Sequence, residues 1–174
     1  VVRMEPGSTF KTISLMAALD DGHVDMDDSI SVEKVGWQYH DAKILDAHPR
    51  DTVYSIRQAM AASSNIALAK IITQGYGGSA KKFVKKLNNM GLCDSVDYTI
   101  PGATQALINV PNDTVTIAKM AYGYSVELSP LQILMFYNGI ANGGKMISPL
   151  FVKEIRKDGK TVERFESTVV KSSM

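Results

Sequence analysis

A serine and a lysine three positions apart, Ser8 and Lys11, are the residues of this chain with the clearest chemical potential. Positions three apart on a helix share a face, so the amine can reach the hydroxyl, and a serine beside a base can become a nucleophile. Pro6 and Gly7 predict a sharp helix entry. Apolar residues then recur at helical spacing, namely Ile13, Leu15, Met16, Ala17 and Leu19. The sequence therefore predicts a hydroxyl at the mouth of a buried helix with a base one turn further in.

The Ser-x-x-Lys spacing is weak evidence on its own, because it occurs three times in the chain. One further match follows a run of aspartates and another opens a lysine-rich helix, and both predict exposed pairs: Ser31/Lys34 and Ser79/Lys82. Ser8 alone has the Pro-Gly entry and an apolar helix behind it. Without further evidence, an ordinary N-cap is an equal interpretation of Ser8.

A second polar cluster, Ser63-Ser64-Asn65, interrupts two apolar stretches at 53–62 and 66–72 that both predict helices. Two hydroxyls and an amide between buried helices indicate one of two arrangements. The cluster is either a simple N-cap of the second helix or a polar group directed into a site.

Together the two clusters resemble a known family. Glu-Pro-Gly-Ser-Thr-Phe-Lys at 5–11, followed about fifty residues later by Ser-Ser-Asn, resembles the transpeptidase domain of a class B penicillin-binding protein. The stretches 122–132 and 140–144 resemble the same family. The resemblance implies an α/β fold of the penicillin-binding-protein and serine β-lactamase type. We expect a mostly α-helical lobe with a short β-hairpin near the C-terminus.

The resemblance also implies a chemistry. Ser8 would attack the carbonyl between the two terminal D-alanines of a peptidoglycan stem peptide, with Lys11 as general base. Ser63 would relay a proton to the leaving amine, and Asn65 would hold Lys11 or the substrate amide. Stem peptides and β-lactam antibiotics are the expected partners, and no cofactor is expected.

One family motif is missing. Lys-Thr/Ser-Gly, which the family carries on a strand at the far wall of the site, does not occur, since Lys160-Thr161 is followed by Val162. We therefore expect 1–174 to be a partial transpeptidase domain, truncated at both ends and poorly active or inactive alone. The resemblance implies an extracytoplasmic, periplasmic location with an N-terminal membrane anchor outside this segment. Glu5 favours a septal member over an elongation member, with cell-division membrane proteins as candidate partners.

Composition is compatible with one globular core and restricts the partners. The chain has 174 residues, 45% of them hydrophobic, with 19 basic and 18 acidic residues and a formal charge of +1. This balance predicts no nucleic-acid partner. Cys93 is the single cysteine, so no internal disulfide can form.

A metal site is the rival interpretation of one loop, which contains His40, Asp41, Asp46 and His48. Their spacing fits no standard zinc pattern, and a solvated loop is favoured. The nearby Trp37 is predicted to anchor this irregular segment rather than to stack on a ligand.

The remaining elements are predicted from local signals. We expect an irregular surface segment at 23–51, a lysine-rich helix from Ser79, a loop at 94–113, and a helix from Ser129-Pro130 to Tyr137 or beyond. Alternating residues at 151–155 and 161–165 around Asp158-Gly159 predict the hairpin.

Other functions stay open from sequence. A D,D-carboxypeptidase differs only in using water as the acceptor, and a serine β-lactamase or a penicillin-sensing domain shares Ser-x-x-Lys. A non-catalytic scaffold of a division complex is the alternative from another class.

Overall fold

The computed structural model describes residues 2–49, 51–93, 105–110 and 113–172. Helices dominate this part of the chain. They are α1 (Phe10–Asp20), α2 (Ile56–Ala61), α3 (Asn65–Gly75), α4 (Ala80–Asn89), α5 (Thr114–Met120) and α6 (Pro130–Ala141). The predicted loop at 94–113 lies mostly outside the described residues. Within them, no helix is long and apolar enough to span a membrane.

Short antiparallel strand pairs join the helices. They are β1 (Ser29–Ser31) with β4 (Val53–Ser55), β2 (Trp37–Tyr39) with β3 (Ala42–Ile44), β5 (Met146–Ile147) with β8 (Val169–Lys171), and β6 (Glu154–Lys157) with β7 (Lys160–Arg164). The expectation of an irregular segment at 23–51 is therefore wrong in part, because β1, β2 and β3 lie within it. Strands of three residues are too short to show the alternation by which a strand is recognised.

The core is centred on α3, which contacts α1, α2 and α5. Every residue from Ile66 to Thr73 is buried, as expected for a helix surrounded by other elements. Bulky side chains from the neighbouring helices complete this core, including Phe10, Ile13, Phe83, Ile117 and Phe136. The packed core around α3 therefore supports α1 and α2, which contact it.

Local signals determine several helix ends. Ser129 caps α6 and forms a reciprocal capping box with Gln132, with Pro130 in the first turn. The helix ends at Ala141, before Asn142, so the prediction for this element is confirmed. In α4 the side chains of Lys81, Lys82 and Lys85 are exposed, as predicted. Lys86 is more buried and forms ion pairs with Asp20 and Asp21 at the C-terminal end of α1.

Lys70 ties the 23–51 segment to α3. Its ammonium group is almost completely buried, and it donates hydrogen bonds to the Ser31 carbonyl oxygen at 2.9 Å and to Glu33 Oε1 at 2.8 Å. It also lies 5.4 Å from the centroid of the Trp37 ring, within the range of a cation–π interaction. The predicted anchoring role of Trp37 is confirmed.

The C-terminal hairpin is confirmed, with strands displaced from their predicted bounds. Asp158 and Gly159 have φ values of 50° and 75°, the left-handed conformation that a two-residue hairpin turn requires. The tight turn pairs Lys157 with Lys160, and a register shift after Ile155 displaces the strands. All strand residues of the hairpin are exposed except Glu154, which is half-buried.

Candidate active site

Ser8 lies where the chain enters α1. Gly7–Thr9 forms a single 3-10 turn that continues directly into the helix, and Gly7 takes the left-handed conformation with φ of 56°. The Thr9 hydroxyl donates to the Pro6 carbonyl oxygen at 2.8 Å. The Ser8 side chain is exposed, so the predicted hydroxyl at a helix mouth is present and accessible.

Lys11, the second residue of α1, reaches Ser8 through a third residue. Its side chain is only 2% exposed. The Lys11 ammonium donates to the carbonyl oxygen of Ser63 and, at 2.8 Å, to the Ser63 hydroxyl. The Ser63 hydroxyl in turn lies 3.3 Å from the Ser8 hydroxyl. The predicted grouping of the three residues is observed, with Ser63 between the lysine and the serine.

Ser63 occupies an unusual backbone position at the end of α2. Its N–H donates to the Met60 carbonyl oxygen at 3.0 Å, and the Ser64 N–H donates to the Ala59 carbonyl oxygen at 2.9 Å. This pattern is the Schellman ending of a helix, whose left-handed residue is usually glycine. Ser63 has φ of 53°, which costs a non-glycine residue about 1–2 kcal/mol. A glycine would relieve that strain but would remove the hydroxyl that joins Lys11 to Ser8.

Ser64 is the N-cap of α3, and Asp46 completes the cap. The Ser64 hydroxyl accepts from the Ala67 N–H at 3.0 Å and donates to Asp46 Oδ2 at 2.6 Å. Asp46 Oδ1 accepts from the Ile66 N–H at 3.0 Å. The capping interpretation therefore holds for Ser64, while its neighbour Ser63 belongs to the polar cluster.

Asn65 faces the preceding loop. Its side-chain amide donates to the Leu45 carbonyl oxygen at 2.9 Å, and the described hydrogen bonds of Lys11 go to Ser63. In this structure Asn65 therefore ties the first turn of α3 to the segment that carries Asp46, instead of holding Lys11.

Burial makes the Lys11 ammonium unusually easy to deprotonate. Removal of the ammonium from water lowers its pKa to about 8, and the negative charge of Asp46 acts in the opposite direction. Asp46 is thus a site residue that sequence reasoning missed, because it was considered only as a metal ligand. The described residues contain no group of three or more His, Cys, Asp or Glu side chains suited to a metal ion.

The segment 122–128 lies against the turn that carries Ser8. The Gly7 N–H donates to the Gly123 carbonyl oxygen at 3.1 Å, and the Ser125 N–H donates to Glu5 Oε1 at 2.8 Å. From α6, the Tyr137 hydroxyl lies 2.8 Å from the Thr9 carbonyl oxygen. The site is thus built from five parts of the chain, namely the Gly7–Thr9 turn with α1, the loop that carries Asp46, the turn at 63–65, the segment 122–128 and α6.

The two other Ser-x-x-Lys pairs form no such arrangement. Ser31 lies in β1 with an exposed side chain, and Ser79 precedes α4 without a side-chain capping bond. The lysines of both pairs, Lys34 and Lys82, are exposed. The buried amine distinguishes Lys11 from both.

The comparison with known proteins identifies the family. The family model of the penicillin binding protein transpeptidase domain matches residues 2–173. The chain belongs to this family. The mostly helical architecture with short strand pairs is that of part of the penicillin-binding-protein fold.

Individual members of the penicillin-binding-protein family are distant from this chain. The probable peptidoglycan D,D-transpeptidase PbpC of Pseudomonas aeruginosa is 27% identical over 145 residues, which are 82% of this chain and 25% of that protein. The probable peptidoglycan D,D-transpeptidase FtsI of Caulobacter vibrioides is 26% identical over 165 residues, covering 91% of this chain and 27% of that protein. The chain thus spans about a quarter of the length of these relatives.

A solved structure gives the same fold. The crystal structure of a peptidoglycan glycosyltransferase from Burkholderia ambifaria aligns with a TM-score of 0.77 at 22% identity, covering 93% of this chain and 50% of that chain. Because the identity is low, this likeness establishes the architecture alone.

Proposed function

We propose that this chain supplies the nucleophile and the base of a peptidoglycan D,D-transpeptidase. The observation that carries the proposal is the hydrogen-bonded series from buried Lys11 through Ser63 to exposed Ser8. The names of the relatives support the reaction class, since both are described as probable peptidoglycan D,D-transpeptidases. The substrate would be a stem peptide that ends in D-Ala-D-Ala.

In the proposed acylation, Ser8 Oγ attacks the carbonyl carbon between the two D-alanines. The hydroxyl proton passes to neutral Lys11, either directly or through the Ser63 hydroxyl. Collapse of the tetrahedral intermediate breaks the peptide bond, and the leaving amine takes a proton that Ser63 relays from Lys11. The terminal D-alanine departs, and an ester joins the remaining stem peptide to Ser8.

In the second half-reaction, an amine of a neighbouring stem peptide attacks the ester carbonyl. Lys11 accepts the amine proton, Ser8 regains its hydrogen, and a new amide bond links the two peptides. The Ser8 backbone N–H, at the N-terminus of α1, would supply one oxyanion donor. β-Lactams would acylate the same hydroxyl by opening their ring.

For Asn65, the bond to Leu45 favours a role in fixing the first turn of α3. The contact with Lys11 or with the substrate amide that the resemblance implies requires reorientation of this amide away from the Leu45 carbonyl oxygen. Asn65→Ala should therefore affect stability as well as acylation.

We further propose that 1–174 is part of a larger transpeptidase domain, extracytoplasmic and anchored in the membrane through a segment outside 1–174. A septal role, with cell-division membrane proteins as partners, is supported by Glu5 and by the relative named FtsI. The Lys-Thr/Ser-Gly motif, on the strand that the family places at the far wall of the site, would complete the oxyanion hole. Because one oxyanion donor contributes about 3 kcal/mol to transition-state stabilisation, we expect 1–174 alone to react poorly with penicillins.

Labelling of the intact protein with a fluorescent penicillin tests the nucleophile. Ser8→Ala should abolish labelling, and the matched variant Ser79→Ala should label like the unmodified protein. Mass spectrometry should locate the adduct on the peptide that contains Ser8. Labelling of Ser8→Ala at the unmodified rate would contradict the proposal.

Product analysis separates the alternatives. A stem peptide with an acceptor amine should yield a cross-linked product. Hydrolysis alone would indicate a D,D-carboxypeptidase, and rapid release of hydrolysed penicillin would indicate a β-lactamase. Normal cross-linking and division in cells that carry only the Ser8→Ala variant would exclude catalysis by Ser8 and would indicate a non-catalytic scaffold.

A further inference from the structure

The backbone of Gly123 lies directly against the backbone of Gly7, the residue before the nucleophile. The Gly7 N–H donates to the Gly123 carbonyl oxygen at 3.1 Å. A Cβ atom at position 123 would lie 2.1 Å from the Gly7 carbonyl oxygen and 2.8 Å from both the Gly7 carbonyl carbon and nitrogen. These neighbours are backbone atoms, which cannot swing aside as a flexible side chain does. Position 123 therefore admits only glycine without displacing Gly7.

Gly123 is required for close approach as well as for backbone conformation. Its φ of 88° is in the left-handed region. Gly143, with φ of 64°, has no atom within 4 Å of the position that a Cβ would take. A side chain at either position meets the same kind of dihedral strain, but only at 123 does it also collide with another part of the chain.

Two further contacts join the residues before Ser8 to the segment 122–128. Glu5 Oε1 accepts from the Ser125 N–H at 2.8 Å, and Ser125 has a φ of 58° that is unusual for a non-glycine residue. Met4 and Leu128 exchange two backbone hydrogen bonds, each of 3.0 Å. Contacts at Met4, Glu5 and Gly7 thus anchor the chain up to the residue before Ser8.

From these contacts we infer that the segment 122–128 is a positioning element for the nucleophile, and that Gly123 and Glu5 are its positioning residues. The segment determines where the Gly7–Thr9 turn lies and thereby the separation of Ser8 Oγ from the Ser63 hydroxyl. Neither residue contacts the reacting atoms. This inference rests on the proposed role of Ser8.

The size of the effect follows from the collision distance. Restoring an ordinary contact from 2.1 Å requires a backbone shift of roughly 1 Å, and a misplacement of that size costs about a hundredfold in rate. Gly123→Ala should therefore lower the acylation rate constant about a hundredfold. Gly143→Ala should leave it unchanged.

The experiment follows fluorescent-penicillin labelling of the intact protein over time and separates the rate constant from the final labelled fraction. Poor nucleophile placement slows labelling while every folded molecule is eventually labelled. A purely structural defect reduces the labelled fraction and leaves the rate constant of the folded molecules unchanged. A Gly123→Ala rate constant equal to that of Gly143→Ala would overturn the inference, as would a loss confined to the labelled fraction.

Glu5 gives a second test if Gly123→Ala does not fold. Glu5→Ala removes the acceptor for the Ser125 N–H and should slow labelling by roughly three- to tenfold, whereas Glu5→Gln keeps an acceptor oxygen and should restore the rate. Equal rates for Glu5→Ala and the unmodified protein would overturn the inference. Labelling of Ser8→Ala would instead refute the proposed nucleophile, so the two failures are distinguishable.

Discussion

Replacement of Asp46 by asparagine should move the pH dependence of Ser8 acylation to lower pH. Asp46 holds the N-terminus of α3 through Ser64 and Ile66, and its negative charge raises the pKa of Lys11 against the larger effect of burial. Asparagine has the same shape: its oxygen can accept from the Ile66 N–H, and its amide can donate to the Ser64 hydroxyl. The substitution therefore removes the charge and leaves the acceptor for the helix N-terminus.

The expected magnitude follows from the titration of Lys11. With a pKa of about 8, roughly a tenth of Lys11 is neutral at pH 7, compared with about 0.03% for a lysine at 10.5. If neutral Lys11 is the base, the acylation rate rises about tenfold per pH unit below a midpoint near pH 8. Without the Asp46 charge, the ammonium loses a stabilising partner, so the midpoint falls below 8. The rate at pH 7 can then approach the plateau, a gain of at most about tenfold.

The pH dependence is simple to interpret because few charged groups act on Lys11 in the described residues. Ser8, in the turn before α1, and Ser63, in the α2–α3 turn, carry no charge at these pH values. Among the described residues, Asp46 is the charged group that acts on Lys11. Asp41→Asn is the matched control, because Asp41 is exposed in the same segment. It makes the same change in net charge.

The assay measures the rate constant for labelling of the intact protein with a fluorescent penicillin from pH 5.5 to 9.5. Asp46→Asn should give a midpoint lower than that of both the unmodified protein and Asp41→Asn. An unchanged midpoint, or one displaced to higher pH, would refute the reasoning that Asp46 tunes the base. If the labelling rate constant of Asp41→Asn also increases at low pH, the effect comes from the overall charge of the protein and not from Asp46 itself.

Two further predictions concern stability. Ser129→Ala removes the N-cap that pairs with Gln132, so the free energy of unfolding should fall by about 1 kcal/mol in denaturant titrations; an unchanged midpoint would show that the cap contributes nothing. Lys70→Met leaves Glu33 without its buried partner and should lower the unfolding free energy by about 1–3 kcal/mol. The emission of Trp37, the single tryptophan, should shift in the same variant, and unchanged emission would argue against the anchoring contact.

Features that depend on neighbouring residues were predictable from sequence. The helix behind Ser8 follows from apolar periodicity, and α6 begins at Ser129-Pro130 because cap and first-turn proline chemistry act within a few residues. The hairpin turn at Asp158-Gly159 is equally local, since only two residues must adopt positive φ. The short strand pairs at 29–55 escaped prediction because three residues give no periodic signal.

The arrangement of the site residues could be predicted only in part from the sequence. The family resemblance implied that Ser8, Lys11 and Ser63 act together, but not that Ser63 lies between the other two. That order depends on the left-handed turn at the end of α2. The sequence shows that polar residues precede α3, but not that Asp46 caps this helix. Asp46 lies 18 positions before Ser64, and only the fold brings the two together.

The sequence by itself thus determined the residue types of the candidate site and the helix mouth that presents Ser8, because these depend on adjacent side chains and backbone preferences. Only the tertiary structure decided what surrounds them. Burial against the core lowers the pKa of Lys11, and the close approach of Gly123 to Gly7 fixes the turn that precedes Ser8. Both arise from contacts between segments separated by 50 residues or more, whose geometry is set by packing.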